Sequence, residues 1–123
     1  MTTFTASVAA SSDDAQESGG TVVIDGTNLN ANAASQISAV RFQNVTIPPG
    51  STINSAYITV SITSTTYDDP AATIRGNGEA NPATFTTATN HLTDRDKTSA
   101  SVAWNGTGPV SYTHLTLPTS DLV

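Results

Sequence analysis

Acidic side chains fall into three groups that could do chemistry: Asp13, Asp14 and Glu17; Asp68 and Asp69; and Asp94 with Asp96. Hard oxygen ligands from loop carboxylates and carbonyls are what calcium takes. The first group lies in a polar stretch, Ser11 to Gly20, that reads as a loop, and it leads as a calcium site. None of the three groups has the spacing of an EF-hand loop, and each also reads as a set of solvated turn formers. A two-carboxylate glycosidase pair can be drawn from Asp68 or Asp69 with Glu79 or Asp94, but nothing in their spacing selects it. His91 could serve as a base. It has no Gly-x-Ser-x-Gly elbow to serve, and it reads more simply as a surface or packing histidine. With no cysteine there is no thiolate nucleophile, thiolate zinc site or disulfide. The sequence therefore reads as non-catalytic.

Ligand binding has a better basis. A sugar site needs an aromatic platform beside polar groups that meet hydroxyls. Tyr57 supplies one ring, and Tyr67 with Asp68 and Asp69 supplies a second, with Arg75 nearby in sequence. Tyr57 also fits plain cross-strand packing on a solvent face. Trp104 shares parity with Val102 and reads as core, as do Phe4, Phe42 and Phe85. Arg41 could contact an anion, or its guanidinium could pair with a carboxylate or loop carbonyls and hold strand to loop. The sequons Asn44-Val45-Thr46 and Asn105-Gly106-Thr107 matter only in a glycosylating host.

The elements that must position these residues are strands. Across Ala56 to Thr63, Ala56, Ile58, Val60 and Ile62 alternate with Tyr57, Thr59, Ser61 and Thr63, the pattern of a half-buried strand. Pro48-Pro49-Gly50 precedes it as a turn, with Pro49 presetting φ and Gly50 accepting the positive φ of a type II turn. Further strands are expected at Thr3 to Val8, Thr21 to Ile24, Ile37 to Asn44, Ala72 to Gly76 and Ser99 to Trp104. In Ile37 to Asn44, Val40 and Phe42 take one face and Arg41 the other, although Ile37 and Ala39 share the parity of Arg41. Thr27 to Gln36 reads as a loop or a weak edge strand. Asn77 to Lys97 lacks a strand pattern; Phe85 and Leu92 are its anchors, with a helical turn possible between Ala83 and Leu92.

Composition agrees with an all-β class. The 123-residue chain is one domain at most, with 37% hydrophobic and 11% charged residues, against an ordinary charged share of about 25%. Thr and Ser, which suit strand faces and turns, fill the gap. Four basic residues (Arg41, Arg75, Arg95 and Lys97) against a net charge of −6 argue against nucleic-acid binding. No window is apolar enough to span a membrane as a helix, and the first residues lack the pattern of a signal peptide. Such an acidic surface, poor in lysine, suits an extracellular or particle-surface protein.

At VRFQNVTIPPGSTINSAYITVSI the chain resembles DNRLRE-type and carbohydrate-binding-module-like accessory domains of bacterial secreted proteins, and TIRGNGEANPATFTT and TSASVAW continue the likeness. The resemblance runs from about Ser12 to Trp104 and implies an antiparallel β-sandwich of the jelly-roll kind. Val110 to Thr119, VSYTHLTLPT, is similar to a translated sequencing adapter of the transposon-end type. Residues 1–108 are accordingly read as an incomplete sandwich module, and residues 109–123 as a non-native tail in which Tyr112 and His114 carry no function. Three functions stay open: a glycan-binding or adhesive appendage of a larger extracellular protein, a virion or surface-layer building block without a small ligand, and a fragment of a polysaccharide-active enzyme.

Overall fold

Seven β-strands and one 3-10 turn make up the regular structure in the computed structural model, which describes residues 2–30, 34–61, 71–105 and 112–116. No α-helix occurs among the described residues, and every strand pair is antiparallel. The chain gathers into two compact units, each discontinuous in sequence: Met1–Ile47 with Glu79–Asp96, and Pro48–Gly78 with Lys97–Val123.

The first unit is built on a three-stranded sheet in the order β2-β1-β3, with β1 Asp14–Ser18, β2 Thr21–Val23 and β3 Gln36–Val40. The pair Ser18↔Thr21 closes a two-residue hairpin on Gly19 and Gly20, whose φ angles are 56° and 83°. Positive φ at both central residues matches the right-handed twist of the flanking strands. Register then puts Glu17 beside Val22 and Ile37, and Ala15 beside Ala39, all on one face. Phe85 and Leu92, from the strandless segment of residues 78–96, cover that face. They form the buried core with Ala15 and Val22, against which Ile24, Ile37 and Ala39 pack.

Several expectations change here. Ser11 to Gly20 is not a loop: Ser11–Asp13 is a 3-10 turn and Asp14–Ser18 the central strand of its sheet. Thr3 to Val8 keeps its alternating burial but joins no ladder. In β3 the inward parity is that of Ile37 and Ala39, continued by half-buried Arg41, while Val40 is exposed. Arg41 belongs on that side because its guanidinium meets a buried carboxylate, described below. Phe4 and Phe42 are half-buried and lie outside the core cluster. The helical turn allowed for between Ala83 and Leu92 falls at the end of that stretch: turns begin at Thr89, and Asp94 N–H donates to Asn90 O at 2.8 Å. Phe85 and Leu92 are anchors as expected.

The second unit holds two two-stranded sheets, β4 (Tyr57–Ser61) with β7 (Tyr112–Thr116) and β5 (Ala71–Asn77) with β6 (Lys97–Asn105). Gly50, at φ 79°, occupies the third position of the expected turn, and Ser51 N–H donates to Pro48 O at 3.2 Å. Ile58 and Val60 are half-buried while Tyr57, Thr59 and Ser61 are exposed, which is the predicted split of faces. In β6, Ala100, Val102 and Trp104 share the half-buried side. A bulge between Arg75 and Asn77 shifts the β5–β6 register at Gly76, whose N–H donates to Thr98 Oγ1 at 3.0 Å. Among the described residues of this unit no side chain is fully buried.

Candidate functional site

The expected calcium residues lie on the 3-10 turn and β1, where strand alternation separates them. Asp13 and Glu17 point into the first unit and are buried, whereas Asp14 points to the other face of the sheet. Asp13 Oδ1 accepts from Arg41 Nη1 at 2.7 Å, and its second oxygen accepts from Gln43 Nε2. Arg41 Nε also donates to Pro82 O at 3.0 Å, so its guanidinium ties the 3-10 turn to the segment that covers the core. This is the strand-to-loop pairing expected of Arg41. The bonds from Gln43 and Arg41 hold the Asp13 carboxyl below its ordinary range, against the opposing effect of desolvation.

Glu17 works alike from the other end of β1. Its Oε2 accepts from the backbone N–H of Leu92 at 2.8 Å and of Thr93 at 3.1 Å, and its Oε1 accepts from Thr93 Oγ1. A buried carboxylate without such donors would be costly. These two carboxylates thus clasp the 78–96 segment onto the sheet. Among the described residues, no three His, Cys, Asp or Glu side chains are gathered as metal ligands would be.

Of the expected ligand residues, Tyr57 and Arg75 are described, while Tyr67, Asp68 and Asp69 lie outside the described residues. Tyr57 begins β4 and is 59% exposed, on the face that carries Thr59 and Ser61. Arg75 lies on the exposed face of β5, with Nη1 donating to Thr98 O at 3.3 Å across to β6. Nothing in the geometry brings these two side chains together.

A third location was not anticipated. The segment between β5 and β6 folds back on itself around an open cleft of about 350 Å³, lined by Glu79, Thr89, His91, Asp94 and Arg95 with the methyl groups of Ala83 and Ala88. Arg95 forms its fixed wall. Nη2 donates to Ala83 O at 2.7 Å and to Thr84 O at 3.1 Å, and the guanidinium carbon lies 4.7 Å from the centre of the Phe85 ring. His91 meets the same ring edge to face, with centroids 6.4 Å apart. Since a guanidinium can only donate, the 2.9 Å contact from Arg95 Nη2 makes His91 Nε2 an acceptor. Nδ1 then carries the proton and faces Thr86 Oγ1 at 3.3 Å. In that arrangement Nδ1 donates toward Thr86 Oγ1 rather than accepting its proton. The sequence offered His91, Glu79 and Asp94 as separate candidates, and the i, i+4 spacing of His91 and Arg95 gains meaning only once a helical turn is known at 90–94.

No family model matches the chain, and neither a curated protein nor a solved structure matches it.

Proposed function

We propose that the chain is a non-catalytic β-sandwich module of the jelly-roll kind that binds glycan, as an adhesive appendage of a larger extracellular protein. The observation that carries this reading is Tyr57, exposed at 59% on a strand face whose other described side chains are the hydroxyls of Thr59 and Ser61. An aromatic plane stacks on the apolar face of a sugar ring, and neighbouring hydroxyls exchange hydrogen bonds with its rim. The acidic, lysine-poor composition and the motif likeness around VRFQNVTIPPG support the same reading. A glycan array probed with the full chain tests it, followed by Tyr57→Ala. Binding to at least one glycan is expected, weakened at least fivefold by the substitution, equivalent to roughly 1 kcal/mol. Silence across the array would remove the proposal.

A building-block role is the second reading. It is favoured by Val23 and Val40, exposed at 44% and 38% on the outer face of the first sheet, where they lie opposite Gln16 and Asp14 of β1. Concentration-dependent assembly in sedimentation velocity, abolished by Val23→Ser with Val40→Ser, is its expected outcome. A monomer at every concentration would reject it.

A further inference from the structure

We infer that the free edge of β3 is a docking surface for a second copy of this chain, which adds its own β3 antiparallel about a two-fold axis. The inference shares with the building-block reading only the premise that copies associate, and it uses a strand edge rather than the outer face. β1 pairs one side of β3, and no strand pairs the other among the described residues. Such an edge presents N–H and C=O groups as a template for another strand. Native edges are defended by lysine, proline, an inward charge or a bulge. Gln36-Ile37-Ser38-Ala39-Val40 has none of these, and its ladder with β1 runs from Ser18↔Gln36 to Asp14↔Val40 without a shift. The opposite edge, β2, suits the role less. It is three residues long, and Gly20 O just before it already accepts from Asn90 N–H.

Symmetry selects the register. A two-fold through Ser38 pairs Ser38 with itself, Ile37 with Ala39 and Gln36 with Val40, so the whole strand is used. A slip of one residue would set core-facing side chains against outward ones, and a slip of two would leave the ends unpaired. Exposed Val40 then lies beside the methylenes of Gln36 from the second copy. Charge decides whether copies of a chain of net charge −6 can meet here. β3 carries no charge, Asp13 is paired with Arg41, and Glu17 is buried against the amides of Leu92 and Thr93. On this sheet that leaves Asp14, opposite Val40. Three strand spacings of about 4.8 Å and four residues of about 3.4 Å put the two Asp14 positions roughly 20 Å apart, beyond a Debye length of about 8 Å. Their repulsion is screened. The two-fold closes at a dimer, and a single short strand from each copy makes a small interface, so association is weak and needs high concentration.

Sedimentation equilibrium of the full chain, from micromolar to millimolar, tests this with a charge swap at Ser38, an exposed position. Ser38→Lys and Ser38→Glu each bring two like charges together on the axis and should weaken the dimer at least about tenfold. An equimolar mixture of the two variants should restore it as a heterodimer. Hydrogen exchange reads the same edge without a substitution: the amides of Gln36 to Val40 should gain protection as concentration rises. A monomer at every concentration, a dimer indifferent to both Ser38 variants, or a mixture that stays monomeric overturns the inference. Association that ignores Ser38 but is lost in Val23→Ser with Val40→Ser ends it while leaving the building-block reading standing. A dimer that obeys the charge swap and survives that double variant does the reverse.

Discussion

Asp13 shows how a single side chain is committed by its neighbours. Buried, and bonded to Gln43 and Arg41, it has its pKa lowered in the folded state. Its contribution to stability is therefore complete above the unfolded carboxylate value of about 3.9 and is lost as pH falls through the lower folded value. Thermal melts between about pH 5 and pH 2 should fall with acid, and the dependence should be shallower in Asp13→Asn. An unchanged slope would show that other carboxylates govern acid unfolding. Gly20 makes a second case at this scale. Its φ of 83° suits glycine, and a Cβ there would come within 2.5 Å of Asn90 Oδ1. Asn90 is itself at φ 59° and donates its N–H to Gly20 O at 2.9 Å. Gly20→Ala should cost about 1–3 kcal/mol in chemical denaturation, and a neutral result would contradict the tight docking of the two turns.

Among elements, the strandless segment of residues 78–96 matters most to the first unit. It contributes two of the four buried apolar residues among those described, Phe85 and Leu92, and it carries the cleft. Leu92→Ala should cost about 2–5 kcal/mol, since a fully enclosed leucine leaves a cavity that a sheet and a clasped segment cannot close. A loss below about 1 kcal/mol would mean the segment is not held as described. In the second unit the bulge at Gly76 rests on a hydroxyl: Thr98 Oγ1 accepts from Gly76 N–H and donates to Ala100 O at 3.0 Å. Thr98→Val keeps the shape and removes both bonds. A cost of about 0.5–1.5 kcal/mol is expected, small because the Gly76 N–H is exposed and water replaces the acceptor.

For the whole molecule, burial is uneven. The apolar core of the described residues belongs to the first unit, while the inward faces of β4, β5 and β6 are half-buried. Backbone amides open most rarely where apolar burial is greatest. Hydrogen exchange followed by mass spectrometry should leave the β1–β2 hairpin protected longest and Tyr57–Ser61 exchanging earlier. Equal protection of both would overturn this order. Loss of residues 109–123 removes β7, and with it the ladder from Tyr57↔Thr116 to Ser61↔Tyr112. In a chain ending at Gly108, β4 amides should lose protection while those of β1 keep theirs.

The all-β class, the turn at Pro48-Pro49-Gly50 and the face assignments of β4 and β6 were legible in the residues, because period-two alternation and positive-φ chemistry are local properties. Phe85 and Leu92 could be named as anchors for the same reason: they are large apolar residues in an otherwise polar stretch. The strand β1 was hidden by its own side chains. Asp14-Ala15-Gln16-Glu17-Ser18 has the composition of a loop, and Gly19-Gly20 between it and Thr21-Val22-Val23 was the one hairpin signal it carried. What makes it a central strand is nonlocal: Glu17 is met by the backbone of Leu92 and Thr93, 75 and 76 residues away, and the turn residue Asp13 by Arg41, 28 away. Carboxylates that look like metal ligands in sequence become clasps when such donors arrive, and only tertiary structure brings them. The cleft has the same origin, since its lining spans Glu79 to Arg95 and converges only after Phe85 and Leu92 are drawn onto the sheet. Local pattern determined which elements form; desolvation, which demands a partner for every buried charge, decided what those acidic residues do.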